Sequence, residues 1–147
     1  MDDHRAIEDL LYRYADLIDA GDFAGIGRLF ARGQIVAPAA AQPFRGASEV
    51  QRMYETSTRR YACGTPRTQH VMSNVRIAID ADRRGASAWL RFTVLQALDD
   101  FPLQAIIAGR YEDRFSRDEA GWYFSERRMQ PELIGDLSRH LLIALPG

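Results

Sequence analysis

The chain has 147 residues, 46% of them hydrophobic and 27% charged, with a formal net charge of −1. That is the size and composition of one globular domain, residues 1–147, with room for a sizeable core. All 19 basic residues are arginine, so Schiff-base chemistry, pyridoxal-phosphate attachment and a P-loop lysine are excluded for want of an amine. Arginine stays protonated and cannot act as a base, which leaves proton handling to Asp, Glu, Tyr and the histidines His4, His70 and His140.

The single cysteine, Cys63, can form no internal disulfide and no Cys-rich metal site. A three-histidine metal site would need both termini to converge on the middle of the chain, and neither a metal nor an organic cofactor is expected. The first residues carry two aspartates and a helical pattern, without a signal-peptide profile. No apolar run has the length to span a bilayer. Arginine is scattered rather than clustered, and the doublets Arg59-Arg60, Arg83-Arg84 and Arg127-Arg128 read as solvated turns and helix ends, so nucleic acid is not an expected partner. The expected setting is cytoplasmic.

From Asp3 to Ala20 the apolar residues Ile7, Leu10, Leu11, Tyr14, Leu17 and Ile18 recur at helical spacing, and Gly21 stands where a C-terminal glycine is favoured. Asp22 is placed to cap a short second helix carrying Phe23, Ile26, Leu29 and Phe30. Gln34 to Ala37 reads as a short strand stopped by Pro38. A loop to Gly46 follows, and then a third helix from Ser48 to about Arg60 with Val50, Met53 and Tyr54 on its inner stripe. The period then changes. Arg67–Asp80, Ala86–Leu98, Leu103–Arg117 and Trp122–Gln130 are β-branched and aromatic stretches separated by turn sequences, which predicts an antiparallel meander. Helices first and strands second indicate an α+β layer, with helices on one face of a curved antiparallel sheet. The tail, with Leu133, Ile134, Leu137, Leu141 and Leu142, is expected to form a last helix over an open end.

Two residues draw attention as proton handlers. Asp19 lies in the last turn of the first helix, where the helix dipole favours a cation, at the edge of the apolar stripe. A solvated helix-end carboxylate is the simpler alternative. His70 is the histidine in the body of the chain, at the start of the first long strand in Arg67-Thr68-Gln69-His70. A neutral imidazole accepts a proton, and a carboxylate beside it fixes its tautomer and raises its basicity. An Asp19 carboxylate within about 3.2 Å of a His70 ring nitrogen, beside a pocket, is the geometry that would separate catalysis from simple binding.

The run Tyr12-Arg13-Tyr14-Ala15-Asp16-Leu17-Ile18-Asp19-Ala20-Gly21-Asp22-Phe23 resembles the first-helix signature of the nuclear-transport-factor-2-like superfamily, in particular its SnoaL-like branch. Gly109-Arg110-Tyr111-Glu112-Asp113-Arg114-Phe115, with Trp122 after it, resembles the penultimate strand and closing hairpin of that branch. The resemblance implies a cone-shaped α+β barrel with a deep pocket. Among the enzymes of the superfamily the chain most resembles scytalone dehydratase: Arg67-Thr68-Gln69-His70 matches the strand carrying its catalytic histidine, Asp19 matches the aspartate orienting it, and Gln130-Pro131-Glu132-Leu133 resembles the start of its C-terminal lid. The hexachlorocyclohexane dehydrochlorinase family carries the same pair.

The rest of the dehydratase pocket differs. Its second histidine falls near Gln96, a helix tyrosine is replaced by Ile18, another falls at Ala37–Pro38, and an asparagine aligns with Tyr111. Ketosteroid isomerase offers a contrast: Tyr14 matches its oxyanion-hole tyrosine, but its catalytic aspartate aligns with Ala37. The resemblance therefore implies a cofactor-free lyase in which His70 and Asp19 abstract a proton. Tyr14, Tyr111 and Gln96 would contact a small hydrophobic or cyclic substrate. The alternatives are a non-catalytic domain binding a hydrophobic ligand and a polyketide-cyclase or isomerase-like enzyme. Homo-oligomers, dimers or trimers, are common in the superfamily and expected here.

Overall fold

The computed structural model describes residues 2–145. Helix α1 (Asp3–Asp19) starts at Asp2, whose carboxylate accepts the Arg5 N–H at 2.8 Å, and buries Ile7, Leu10, Leu11, Tyr14, Ala15 and Ile18. Gly21 ends it at φ +73°; a Cβ there would meet the Gly64 carbonyl oxygen at 2.1 Å, so the turn requires glycine both for its conformation and for the close approach of the loop before the long strands. Asp22 caps α2 (Phe23–Leu29), accepting the Gly25 N–H at 2.8 Å. Helix α3 spans Gly46–Ser57.

The strands are β1 (Gln34–Val36), β2 (Phe44–Arg45), β3 (Thr68–Ile79), β4 (Gly85–Leu98), β5 (Phe101–Asp118) and β6 (Gly121–Ile134), in the order β2-β1-β6-β5-β4-β3. The four long strands form the antiparallel meander that the turn sequences predict. The α+β layering is as expected, with two corrections to the sheet. It is mixed, because β1 runs parallel to β6, and it is open, with β2 and β3 as edges, so it does not close into a barrel. Strand β2 lies within the stretch that reads as loop; two residues leave no periodicity to detect.

The side-chain parity of β3 switches once. Thr68, His70 and Met72 face inward, whereas beyond the register shift at Ser73/Arg76, where Asn74 takes φ +53°, Val75, Ile77 and Ile79 do so. A bulge of this kind adds a residue and re-aims the side chains beyond it, so one strand delivers polar groups near its start and plain core further on.

The tail does not form the expected helix. β6 continues through Pro131 to Ile134, pairing Gly109 with Pro131 and Ile107 with Ile134. Pro131 fits beside the register shift at Ala108/Gly109, and Gly109 leaves it room: a Cβ there would stand 2.8 Å from the Pro131 Cα. Beyond Gly135 the chain turns back, and Leu141 bridges to Thr58 after α3. Leu133, Ile134 and Leu142 are exposed, so the apolar spacing in this stretch does not describe one buried face.

Candidate active site

The C-terminal end of α1 abuts the first residues of β3. There Asp19 accepts three hydrogen bonds: Oδ1 takes the Thr68 hydroxyl at 2.9 Å and the His70 Nδ1 at 2.7 Å, and Oδ2 takes the His70 backbone N–H at 2.7 Å. These donors, not the helix dipole, stabilise a carboxylate at a helix end. A carboxylate accepts, so Nδ1 carries a proton, and in the neutral form of the His70 ring Nε2 is the unprotonated nitrogen. The His70 side chain is 6% exposed and lines a cavity of about 270 Å³; Asp19, at 23%, stands behind it and outside the lining. Arg67, just before this strand, is held at φ +60°, the left-handed region that non-glycine residues enter at a cost.

Tyrosine rings form another part of the cavity wall. The Tyr14 and Tyr54 hydroxyls share a hydrogen bond of 2.7 Å, and the Tyr14 ring meets Tyr111 edge-on at 6.0 Å and His70 edge-on at 6.2 Å. Burial raises the Tyr14 hydroxyl above its ordinary pKa and raises Tyr54 and Tyr111 well above it, while a nearby guanidinium opposes the shift at all three. The phenols remain protonated and able to donate. That guanidinium belongs to Arg127, which is wholly buried and lies 3.8 Å from the Tyr111 ring centroid and 4.3 Å from that of Tyr14. Two of its nitrogens donate to Asp113 across the β5–β6 ladder, at 2.9 and 2.8 Å. The reading of Arg127-Arg128 as solvated is therefore corrected for the first residue. Strand alternation turns Arg127 inward and Arg128 outward.

The rest of the wall is mostly apolar, with Phe92, Val94, Met129 and the tail residues Leu137 and Leu141 among its residues and Ser57 and Thr58 as polar members at the end of α3. Gln96 is not part of this wall. It is 1% exposed, and its amide donates to the Pro66 and Arg139 carbonyls at 3.1 Å each, so it fastens the tail to the turn before β3. The imidazole beside His70 comes instead from the tail: the His140 ring lines the cavity, 6.5 Å from the His70 ring between centroids. Among the described residues no cluster of three or more His, Cys, Asp or Glu side chains is placed to hold a metal ion, and no helix is long and apolar enough to cross a membrane.

A sequence profile of the SnoaL-like domain matches residues 1–128. The chain belongs to the SnoaL-like domain family, within the nuclear-transport-factor-2-like superfamily. Its fold is shared by solved structures of low sequence identity. A Novosphingobium aromaticivorans protein provisionally named as a scytalone dehydratase has a TM-score of 0.68 at 19% identity, over 88% of this chain and 84% of that one. An NTF2-like protein with a cystatin-like fold, from the same organism, has 0.72 at 18%, over 86% and 80%. ActVI-ORFA of Streptomyces coelicolor has 0.71 at 13%, over 88% and 96%. No curated protein matches the sequence at a significant level.

This SnoaL-like domain thus brings His70, Tyr14 and Tyr111 to the wall of one cavity, sets Asp19 behind His70, and leaves Gln96 out. Sequence reasoning missed three contributors. Tyr54 had a signal, its place on the inner stripe of α3. Arg127 had one in strand parity. His140 had none, because only the return of the tail across the cavity brings it to His70.

Proposed function

We propose that the domain is a cofactor-free lyase, dehydratase-like in its chemistry, acting on a small hydrophobic or cyclic substrate. The observation that carries this reading is the 2.7 Å contact between Asp19 Oδ1 and His70 Nδ1 at the wall of an apolar cavity. His70 Nε2 takes a proton from a carbon next to a carbonyl or a leaving group. The electron pair of that C–H bond moves to the carbonyl oxygen or expels the leaving group, and the imidazolium is held against the Asp19 carboxylate as its charge appears. Tyr14 or Tyr111 donates to the developing oxyanion. The His70 imidazolium is then the acid that returns the proton to the departing group or to the product carbon. The fold shared with a protein provisionally named as a scytalone dehydratase agrees with this class of chemistry without fixing it.

The test does not require the natural substrate. 2-Indanone offers an acidic C–H beside a carbonyl on a compact apolar ring system. In D2O the protein is expected to accelerate exchange of its α-protons, followed by NMR, and His70→Ala to lose about 10²–10⁴-fold of that rate. Exchange at the buffer rate while 2-indanone is seen to bind would instead support a non-catalytic ligand-binding domain. A homo-oligomeric state and a cytoplasmic location belong to the same proposal.

A further inference from the structure

The two imidazoles of the cavity are held in different ways. His70 has its Nδ1 on a carboxylate and presents Nε2 without a proton. His140 is 7% exposed, and its Nδ1 is sealed with no hydrogen-bond partner. A buried N–H without an acceptor is rarer and costlier than a buried lone pair without a donor. The His140 proton therefore belongs on Nε2, the nitrogen left to reach the cavity that the ring lines. The ring is fixed by its backbone: the His140 N–H donates to Leu137 O at 3.0 Å and its carbonyl accepts the Arg59 N–H at 2.8 Å. On either side of it, the Arg139 carbonyl accepts from Gln96 and Tyr61, and the Leu142 N–H donates to Ser57 O at 2.9 Å. The acid–base groups acting on the ring are His70 on β3 and Asp19 on α1. Burial and His70 lower its pKa to about 4 against the opposing pull of Asp19, so it is neutral near pH 7.

We propose that His140 is a specificity residue whose Nε2–H donates a hydrogen bond to an oxygen of the bound molecule, beside the C–H that faces the unprotonated Nε2 of His70. The cavity then holds one imidazole as acceptor and one as donor, of opposite tautomer. It selects oxygenated ring compounds, ketones or alcohols, over hydrocarbons of the same shape. This rests on the reading of His70 as the base, but the donor role can fail or stand separately.

Long-range ¹H–¹⁵N NMR on the ¹⁵N-labelled full chain reads both tautomers without any ligand. Near pH 7 the expected result is Nδ1–H for His70 and Nε2–H for His140; an Nδ1–H tautomer at His140 overturns the proposal. On adding 2-indanone the His140 Nε2 resonances are expected to shift, whereas indane, the same skeleton without oxygen, leaves them in place. Equal responses to the two probes count against the donor role. In His140→Phe the preference for 2-indanone over indane is expected to fall about fivefold, the scale of one neutral hydrogen bond, and in His140→Gln, which keeps an N–H, to be largely restored. An unchanged preference in His140→Phe overturns the proposal, and should that variant not fold, the tautomer and the His140→Gln binding decide. His70→Ala separates the two readings: it is expected to lower proton exchange by about 10²–10⁴-fold while leaving the ketone preference intact.

Discussion

The Asp113–Arg127 and Asp19–His70 pairs each join a carboxylate to an inward-facing nitrogen side chain, and they are built to opposite ends. Asp113 and Arg127 face each other across neighbouring strands, both 0% exposed, joined by two parallel hydrogen bonds. Asp19 and His70 come from a helix end and a strand start, joined through one ring nitrogen while the other is free to meet the cavity. Arginine cannot release its proton near neutrality, so the first pair is a fixed charge distribution. Histidine can gain one, so the second pair has a state to change into. What distinguishes a site from a buried ion pair here is therefore not burial or charge but a titratable nitrogen left without a partner.

If that distinction is right, breaking the two pairs should damage different properties. His70→Ala is expected to reduce α-proton exchange of 2-indanone by about 10²–10⁴-fold, while its cost in urea denaturation stays near that of losing one hydrogen-bond donor on Asp19, about 1–2 kcal/mol. Arg127→Met should do the reverse, lowering stability by about 3–5 kcal/mol, since it leaves the Asp113 carboxylate buried and uncompensated. Burial already pushes the Asp113 carboxyl upward, with Arg127 holding it down. Adding Asp113→Leu to that variant is expected to restore most of the loss, because a well-packed apolar pair removes the desolvation cost along with the attraction. Failure of the second substitution to help would mean that the cation held among the tyrosine rings stabilises the core on its own account.

The same contrast explains how much the sequence disclosed. The periodicity of α1 and the turn between each pair of long strands follow local rules, so the helices and the meander are legible from neighbouring residues alone. Asp19 is legible because it violates such a rule at a helix end, and His70 through its motif. Arg127 sits on a strand where alternation turns it inward, but a charged doublet reads as surface. His140 depends on a contact with Arg59 made after the whole sheet has intervened, and the parallel β1–β6 pairing is equally non-local. Pairings of that kind carry no period in the sequence.

Acid titration probes the tail without any ligand. The folded pKa of His140, about 4, lies below the unfolded value near 6.5, so between these limits the unfolded chain binds more protons and stability falls as pH is lowered. The contribution is fully present above pH 6.5 and is lost on the way to about 4. At roughly 1.4 kcal/mol per pKa unit it amounts to about 3 kcal/mol, and denaturation midpoints measured across that window should flatten in His140→Gln. A slope that survives the substitution would assign the acid sensitivity to another group.

The smallest effect expected is that of Thr68→Val. It removes one of the three donors on Asp19 but leaves the His70 backbone N–H on Oδ2 and the ring nitrogen on Oδ1. A loss of about 1 kcal/mol in stability is expected from urea denaturation, with proton exchange reduced less than tenfold. The reason is geometric: the main chain of β3 already fixes the carboxylate relative to the ring it serves, so the hydroxyl adds strength rather than direction. Exchange falling as far as in His70→Ala would show that Oδ1 cannot hold the ring without Thr68. The orienting unit would then be three residues instead of two.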